Sequence, residues 1–129
     1  MTRWLMFELG WVRVANPNAV IVLGQIVAVE AHTLGLWTLN LSRIVDVVDQ
    51  PGSFGFVYAT TADHAEEGEE RFLASYSPAT KEVFYSLEAV SRPRAGLARL
   101  GLPFTRSFQH RFARESHQRM RKAVQEASL

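Results

Sequence analysis

His64 stands in the densest run of ionisable side chains in the chain, Asp63-His64-Ala65-Glu66-Glu67-Gly68-Glu69-Glu70-Arg71. A carboxylate beside an imidazole raises the ring's pKa and orients it, which is the basis of acid/base catalysis by histidine. His64 with Glu69 and Glu70 is therefore a candidate catalytic group, a general base with polarising carboxylates. The competing reading is a solvated acidic loop, with Gly68 needed for its turn and some carboxylates paired to basic residues elsewhere. The residue types leave both open.

Glu70-Arg71-Phe72 carries a second possibility. Strand alternation sets Glu70 with Phe72 and Tyr76, and puts Arg71 on the opposite face with Leu73. One of the two charges must then point toward an apolar surface and be paired there, with Arg92 or Arg71 as partner for a buried Glu70. Such a pair is either a structural salt bridge or an anchor for a ligand's carboxylate or phosphate. Arg43 and Asp46 invite the same two readings with less force.

Other chemistry is poorly served. The chain has no His-Glu-x-x-His helix, no Gly-x-Ser-x-Gly nucleophile turn and no Gly-rich phosphate loop, so no cofactor is expected. His110 and His117 share a helix face but lie two turns apart, about 10 Å, too far to bind one metal directly; no metal site is expected. With no Cys there is neither a disulfide nor a thiolate ligand, which fits a reducing, cytoplasmic setting.

The elements that would position these residues are mostly strands. Between Phe7 and Val90 turn signals recur every 10 to 15 residues or so, separated by text rich in Val, Ile, Leu, Phe and Tyr. Strands are expected over Phe7–Ala15, Val20–Ala31, Leu36–Asp49, Phe54–Thr61, Glu70–Tyr76 and Glu82–Val90. The connections are short, so neighbours should be antiparallel. After Val90 the period changes: Ser91 and Pro93 suit the start of a short helix over 94–100, ended by Gly101. A longer helix, opened by Pro103, should run from Phe104 to about Ala127, roughly 35 Å. Its apolar stripe is Phe104, Phe108, Phe112, Met120, Ala123, Val124 and Ala127, opposite a basic stripe of Arg106, His110, Arg114, His117 and Arg121. The expected fold is α+β, one domain over 1–129, with a meander of about six antiparallel strands and a long C-terminal helix packed on it.

Of 129 residues, 47% are apolar and 21% charged, an ordinary globular composition. The longest apolar stretch, Ala19 to Val29, is broken by Gly24 and Gln25 and falls short of the ~20 residues of a membrane-spanning helix; the N-terminus lacks a signal-peptide pattern. Asn40-Leu41-Ser42 matches a glycosylation acceptor by chance inside a strand. Net charge is +1, but residues 1–91 hold five basic and eleven acidic side chains and residues 92–129 hold nine and two. The basic end either folds back on the acidic part or meets an anionic partner, and near-neutrality overall argues against a nucleic acid. Both faces of the second strand are apolar, more than one helix can cover. A cavity, a closing sheet, missing N-terminal elements or a second subunit must cover the rest.

Several motifs together resemble one known family. Phe7-Glu8-Leu9-Gly10-Trp11-Val12, Gly55-Phe56-Val57-Tyr58-Ala59-Thr60 with His64, Gly68-Glu69-Glu70-Arg71-Phe72, Ala89-Val90-Ser91-Arg92-Pro93, and Leu100-Gly101-Leu102-Pro103 with Arg106 and Gln109 are similar to uncharacterised protein family 0548, domain DUF1990. The chain departs in Ala59 for a usual Gly, in Ala65 for a usual Pro, and in lacking the upstream segment of longer members. The resemblance implies a helix-grip fold similar to lipid-binding START and pollen-allergen domains. The missing part would then hold a first strand and the small helices that close the cavity, leaving an open groove, a rearranged dimer or a start other than Met1. The family brings no catalytic residues.

The expectation that follows is a non-catalytic binding domain for a lipid or other apolar small molecule, its groove lined by Phe56, Tyr58, Phe72, Tyr85, Phe108 and Phe112, with Arg71 and Arg92 as polar anchors. Trp4, Trp11 and Trp37 either line that pocket or fill the core. The alternatives are an enzyme using His64 with Glu69 or Glu70, and a homodimer formed through an uncovered apolar face.

Overall fold

In the computed structural model, which describes residues 1–61, 66–93 and 102–127, the chain forms one curled antiparallel sheet and one long helix, an α+β architecture. The strands are β1 (Val12–Val14), β2 (Ile26–Thr33), β3 (Leu36–Gln50), β4 (Ser53–Thr60), β5 (Glu66–Ser77) and β6 (Glu82–Pro93), and the sheet order follows the chain order. The helix, α1, spans Leu102–Ala127. The short helix expected over 94–100 and the bend holding His64 lie outside the described residues.

The turns explain the register. Gly52, at φ +80°, closes the β3–β4 hairpin two residues after Gln50 and lets Gln50 face Ser53. Leu34 (φ +52°) and Gly35 (φ +79°) close the β2–β3 hairpin, with Thr33 facing Leu36. Two left-handed residues in succession give the tight turn whose twist suits a hairpin. A bulge between Ile44 and Asp46 bends β3, and the face carrying Ser42 and Ile44 continues through Val47, opposite Phe56.

Three segments depart from the sequence expectation. Of Phe7–Ala15 only Val12–Val14 is strand; Leu5–Phe7 is a 3-10 turn, and Gly10 at φ +84° separates the two. This segment is an internal plug, with Trp4, Met6 and Phe7 fully buried against the sheet. Val20 to Gln25 is not strand, and Val20, Val22 and Leu23 are exposed, so much of the second strand's apparent two-sided apolarity belongs to a surface loop. The acidic run, read as a bend up to Glu70, is strand from Glu66 onward, where Glu66 to Glu70 pair with Pro93 to Ala89. Strand β6 accordingly continues through Ser91 and Arg92 to Pro93, where the sequence suggests a helix start. Pairing with a neighbouring strand overrides the weak local β-propensity of glutamates.

The core lies on the concave face. Phe56, Phe72, Ile44 and Val27 come from the sheet, Trp4, Met6 and Phe7 from the plug, and Met120 from α1. Ring centroids at 4.9 Å for Phe56–Phe72, 5.4 Å for Phe7–Phe72 and 5.2 Å for Phe7–Phe112 tie all three layers together. Such pairs add about 0.5–1.5 kcal/mol each beyond the area they bury. The helix's sheet-facing stripe is Phe108, Phe112, Ser116 and Met120, one residue per turn, and its one hydroxyl is fully buried.

Candidate functional site

Beside the aromatic cluster the concave face is not filled. A partly open cavity of about 490 Å³ lies between the sheet and the first described turns of α1. Its apolar wall is Phe7, Trp11, Val12, Val29, Leu87, Phe108 and Phe112. Alternation delivers the sheet's contribution, because Val29 and Ala31 of β2 face the same side as Asn40 and Ser42 of β3, their register partners' face. Polar groups converge from several strands: Asn40, Ser42, Tyr58, Thr60 and Glu70 on the sheet, Arg106, Gln109 and His110 on the helix. An apolar wall with a few placed polar groups, at this volume, is the usual make-up of a small-molecule site.

Trp11 is held by its own clamp. Its indole Nε1 donates to Glu115 Oε2 at 3.0 Å, Arg111 Nε donates to the same oxygen at 2.8 Å, and the guanidinium lies 4.4 Å from the indole ring centroid. This fixes the N-terminal plug to α1 and presents the indole to the cavity beside Phe108, 6.1 Å away between centroids. At the inner end the Tyr58 hydroxyl donates to Glu70 Oε1 at 3.4 Å. Burial first, then the Glu70 charge and this hydrogen bond, push the Tyr58 phenol well above its ordinary pKa. Tyr58 is therefore a neutral donor, unsuited to act as a base. The Gly68 amide donates to Thr60 Oγ1 at 3.1 Å across the β4–β5 ladder.

The structure distributes the sequence candidates as follows. Tyr58, Phe108 and Phe112 line the cavity with Glu69 and Glu70. Glu70 is half-buried on the inner side, whereas Glu69, one step along the strand, is exposed. Phe56 and Phe72 are packed inside the core, at 1% and 0% exposure. Tyr85 is half-buried and binds α1, its hydroxyl 2.7 Å from Ser116 Oγ and its ring centroid 4.8 Å from that of His117. Arg71 is exposed on the outer face, opposite Glu88. Arg92 stands opposite Glu67 in the ladder, its side chain outside the described residues, as is His64. Among the three tryptophans, Trp4 is core, Trp11 lines the cavity and Trp37 is exposed.

Sequence reasoning missed Val29, Asn40, Ser42, Thr60, Leu87 and Gln109 as lining residues. One signal was available: Asn40 and Ser42 put polar atoms on the inner face of an apolar strand, which marks a lined space more than a sealed core. Among the described residues, cations of the helix pair with its own Glu115 and Glu126 and with Glu8 of the plug, Arg119 Nη2 to Glu8 Oε2 at 2.9 Å. Arg106 and His110 line the cavity together with Glu69 and Glu70, so the basic stripe and the acidic run meet at this space. Among the described residues no group of three or more His, Asp or Glu could hold a metal ion, and no helix is long and apolar enough to cross a membrane.

Comparison with known proteins places this geometry in a lineage. A UPF0548 protein of Dictyostelium discoideum is 36% identical over 135 aligned residues, covering 96% of this chain and 62% of the relative. One from Deinococcus radiodurans is 36% identical over 80 residues, 62% of this chain and 40% of its own length, and one from Arabidopsis thaliana is 26% identical over 130 residues, 96% and 62%. The chain thus spans less than two thirds of the length of the curated relatives it matches. No solved structure matches it. The family model described as a domain of unknown function, DUF1990, matches residues 1–119, from the buried plug through the clamp at Glu115 to Arg119. With that span and those relatives, the chain belongs to the UPF0548 (DUF1990) family.

Proposed function

We propose that this chain is a non-catalytic binding domain for an amphiphilic small molecule of the lipid class. The observation that carries the reading is the cavity of about 490 Å³ with aromatic and aliphatic walls and polar groups gathered on the sheet and the helix. An acyl or ring system would lie against Phe7, Trp11, Leu87, Phe108 and Phe112, where displacing water from apolar surface contributes about 25 cal/mol per Å². A polar end group would meet Asn40, Ser42 and Thr60, or Arg106 and Gln109 at the helix. Tyr58, held neutral, offers a hydroxyl rather than a charge.

The test uses a helix position whose side chain is small and borders the space. Ala113→Trp should fill the cavity from α1 while preserving the helix, since Ala113 lines the cavity and is half-buried. Native mass spectrometry of the freshly purified chain should show a bound small molecule, and a fluorescent fatty acid should bind saturably. Ala113→Trp should weaken that binding at least about tenfold with unchanged circular dichroism. A chain that carries nothing and binds no such probe would sink the reading.

A further inference from the structure

The β2–β3 hairpin ends in apolar side chains that no described residue covers. Leu34 is 79% exposed, Leu36 69%, Leu39 56% and Trp37 49%. Leu34 occupies the first of the two left-handed turn positions, at φ +52°, where Asn or Gly is the relaxed choice. A leucine there is unfavourable both for its backbone and for its exposure, so neither folding nor solubility accounts for it.

We propose that this hairpin tip inserts into the surface of a lipid bilayer. Three features favour a bilayer over a protein partner. First, the apolar residues lie on both faces of the ribbon: Leu36 shares a face with Asn40 and Ser42, while Trp37 and Leu39 lie on the other, opposite His32 and Glu30. A protein surface covers one face of a ribbon, whereas a bilayer surrounds its tip. Second, the ladder runs unbroken to Thr33–Leu36, so the backbone polar groups are satisfied almost to the end, as a low-dielectric medium requires. Third, Trp37 faces His32 across the ladder, two residues back from Leu34 on the other strand and so about 7 Å behind the tip. It is stacked on His32 with centroids 4.9 Å apart and lies 4.7 Å from the Arg13 guanidinium. An indole with a cation beside it at that depth suits the headgroup layer, with leucines below it in the acyl region.

The tip also lies at the cavity's end of the sheet. On the inner face, Leu36 and Thr38 lead directly to Asn40 and Ser42, and Thr33 leads to Ala31 and Val29, which line the cavity. Docking would therefore set the cavity beside the membrane surface, where an amphiphile can pass without crossing bulk water; this exchange step, unlike the docking itself, rests on the binding reading above. Arg13 is ion-paired with Glu30, so the docking face carries little net charge and binding should depend weakly on anionic lipid and on salt.

The experiment is co-sedimentation of the whole chain with phosphatidylcholine vesicles, with and without phosphatidylserine, together with quenching of tryptophan by brominated acyl chains. Trp4 and Trp11 are buried, but Trp11 borders the cavity, so the quenching that disappears in Trp37→Phe is the part that reports the tip. The wild type should bind both vesicle types, and Leu34→Asn should weaken binding about tenfold, the loss of one buried leucine. Because Asn tolerates the left-handed turn, that variant should unfold no earlier in urea than the wild type, which separates loss of docking from loss of fold. Ala113→Trp should bind vesicles normally even though its cavity is blocked; this keeps failure of the ligand reading distinct from failure of docking. No vesicle binding by the wild type, undiminished binding by Leu34→Asn, or self-association through the tip in place of vesicle binding would overturn the proposal.

Discussion

Tyr85 and Ser116 form a hydrogen bond that fastens α1 to β6, and its worth can be measured. Ser116 is fully buried, and its Oγ lies 2.7 Å from the Tyr85 hydroxyl. Tyr85→Phe leaves the serine hydroxyl without this partner in a dry layer, a cost of about 1–2 kcal/mol. Ser116→Ala leaves the Tyr85 hydroxyl without this partner and should cost about 0.5–1.5 kcal/mol. A double-mutant cycle in urea should therefore return a coupling of about 1 kcal/mol. An alkaline arm makes the test sharper. Burial, opposed by the Ser116 hydrogen bond and reinforced by Glu70, raises the Tyr85 pKa to about 12 from an ordinary value of 10. The folded state thus favours the protonated phenol: its stabilisation is fully present below the unfolded pKa and is lost as pH rises through the interval from 10 to 12. Two pK units correspond to at most about 2.7 kcal/mol. Tyr85→Phe, which cannot ionise there, should be less stable than wild type near about pH 9 and should lose less stability at higher pH. Tyr58, raised in the same direction, continues to destabilise both proteins on alkalisation. Additivity within about 0.3 kcal/mol, or a gap that does not change with pH, would refute the assignment.

Two further perturbations probe the sheet and the clamp. At Gly55 an added Cβ would lie 2.2 Å from the Phe72 carbonyl oxygen and 2.9 Å from Leu73 Cα, both backbone atoms. Gly55→Ala must therefore part β4 from β5 and should cost about 2–4 kcal/mol in urea denaturation; a loss below about 1 kcal/mol would mean that the strands separate easily. Glu115→Ala removes the acceptor shared by the Trp11 indole and Arg111, and should cost about 1–3 kcal/mol and shift tryptophan emission to the red. Glu115→Gln, which keeps an acceptor for the indole, should restore most of the emission and only part of the stability; equal behaviour of the two variants would dismiss the hydrogen bond.

The middle strands were legible because alternation and turn chemistry agree there. Leu36–Asp49 and Phe54–Thr61 fall within one residue of β3 and β4, with Gly52 closing the turn between them. The ends were less legible, for separate physical reasons. Phe7 reads as the start of a strand and Trp4 as either pocket or core, yet the burial of Trp4, Met6 and Phe7 is set by the space between sheet and helix, a tertiary fact with no period of its own. Val20, Val22 and Leu23 look like strand but stay in solvent; apolar identity alone does not create a partner strand. Glu66 to Glu69 look like a loop because paired glutamates reveal themselves only through the strand opposite. At the site, the aromatics were found but their roles were not separated. Phe56, Tyr58 and Phe72 share one inner face, and only the position of the plug decides which rings are sealed and which border the cavity. Ser116 was passed over in the helix stripe, because a serine between Phe112 and Met120 signals burial only once Tyr85 is seen opposite it.

The lopsided charge of the chain gains a physical meaning from this arrangement. Arg119 reaches Glu8 and Arg111 reaches Glu115, which anchors α1 to the plug and to itself, while Arg106 and His110 line the same cavity as Glu70. Charged side chains from both halves of the chain, Arg106 on the helix and Glu70 on the sheet, thus border one partly open space, and the aromatic floor of Phe7, Tyr58 and Phe112 is of low dielectric, so their fields act inside it more strongly than in bulk water. On the binding reading proposed above, a purely hydrocarbon ligand would gain nothing from those fields, whereas an amphiphile with a dipolar or charged end would be oriented by them. The charge pattern would then bear on which end of a bound amphiphile faces the mouth, and the aromatic cluster beneath on how tightly its apolar body is held.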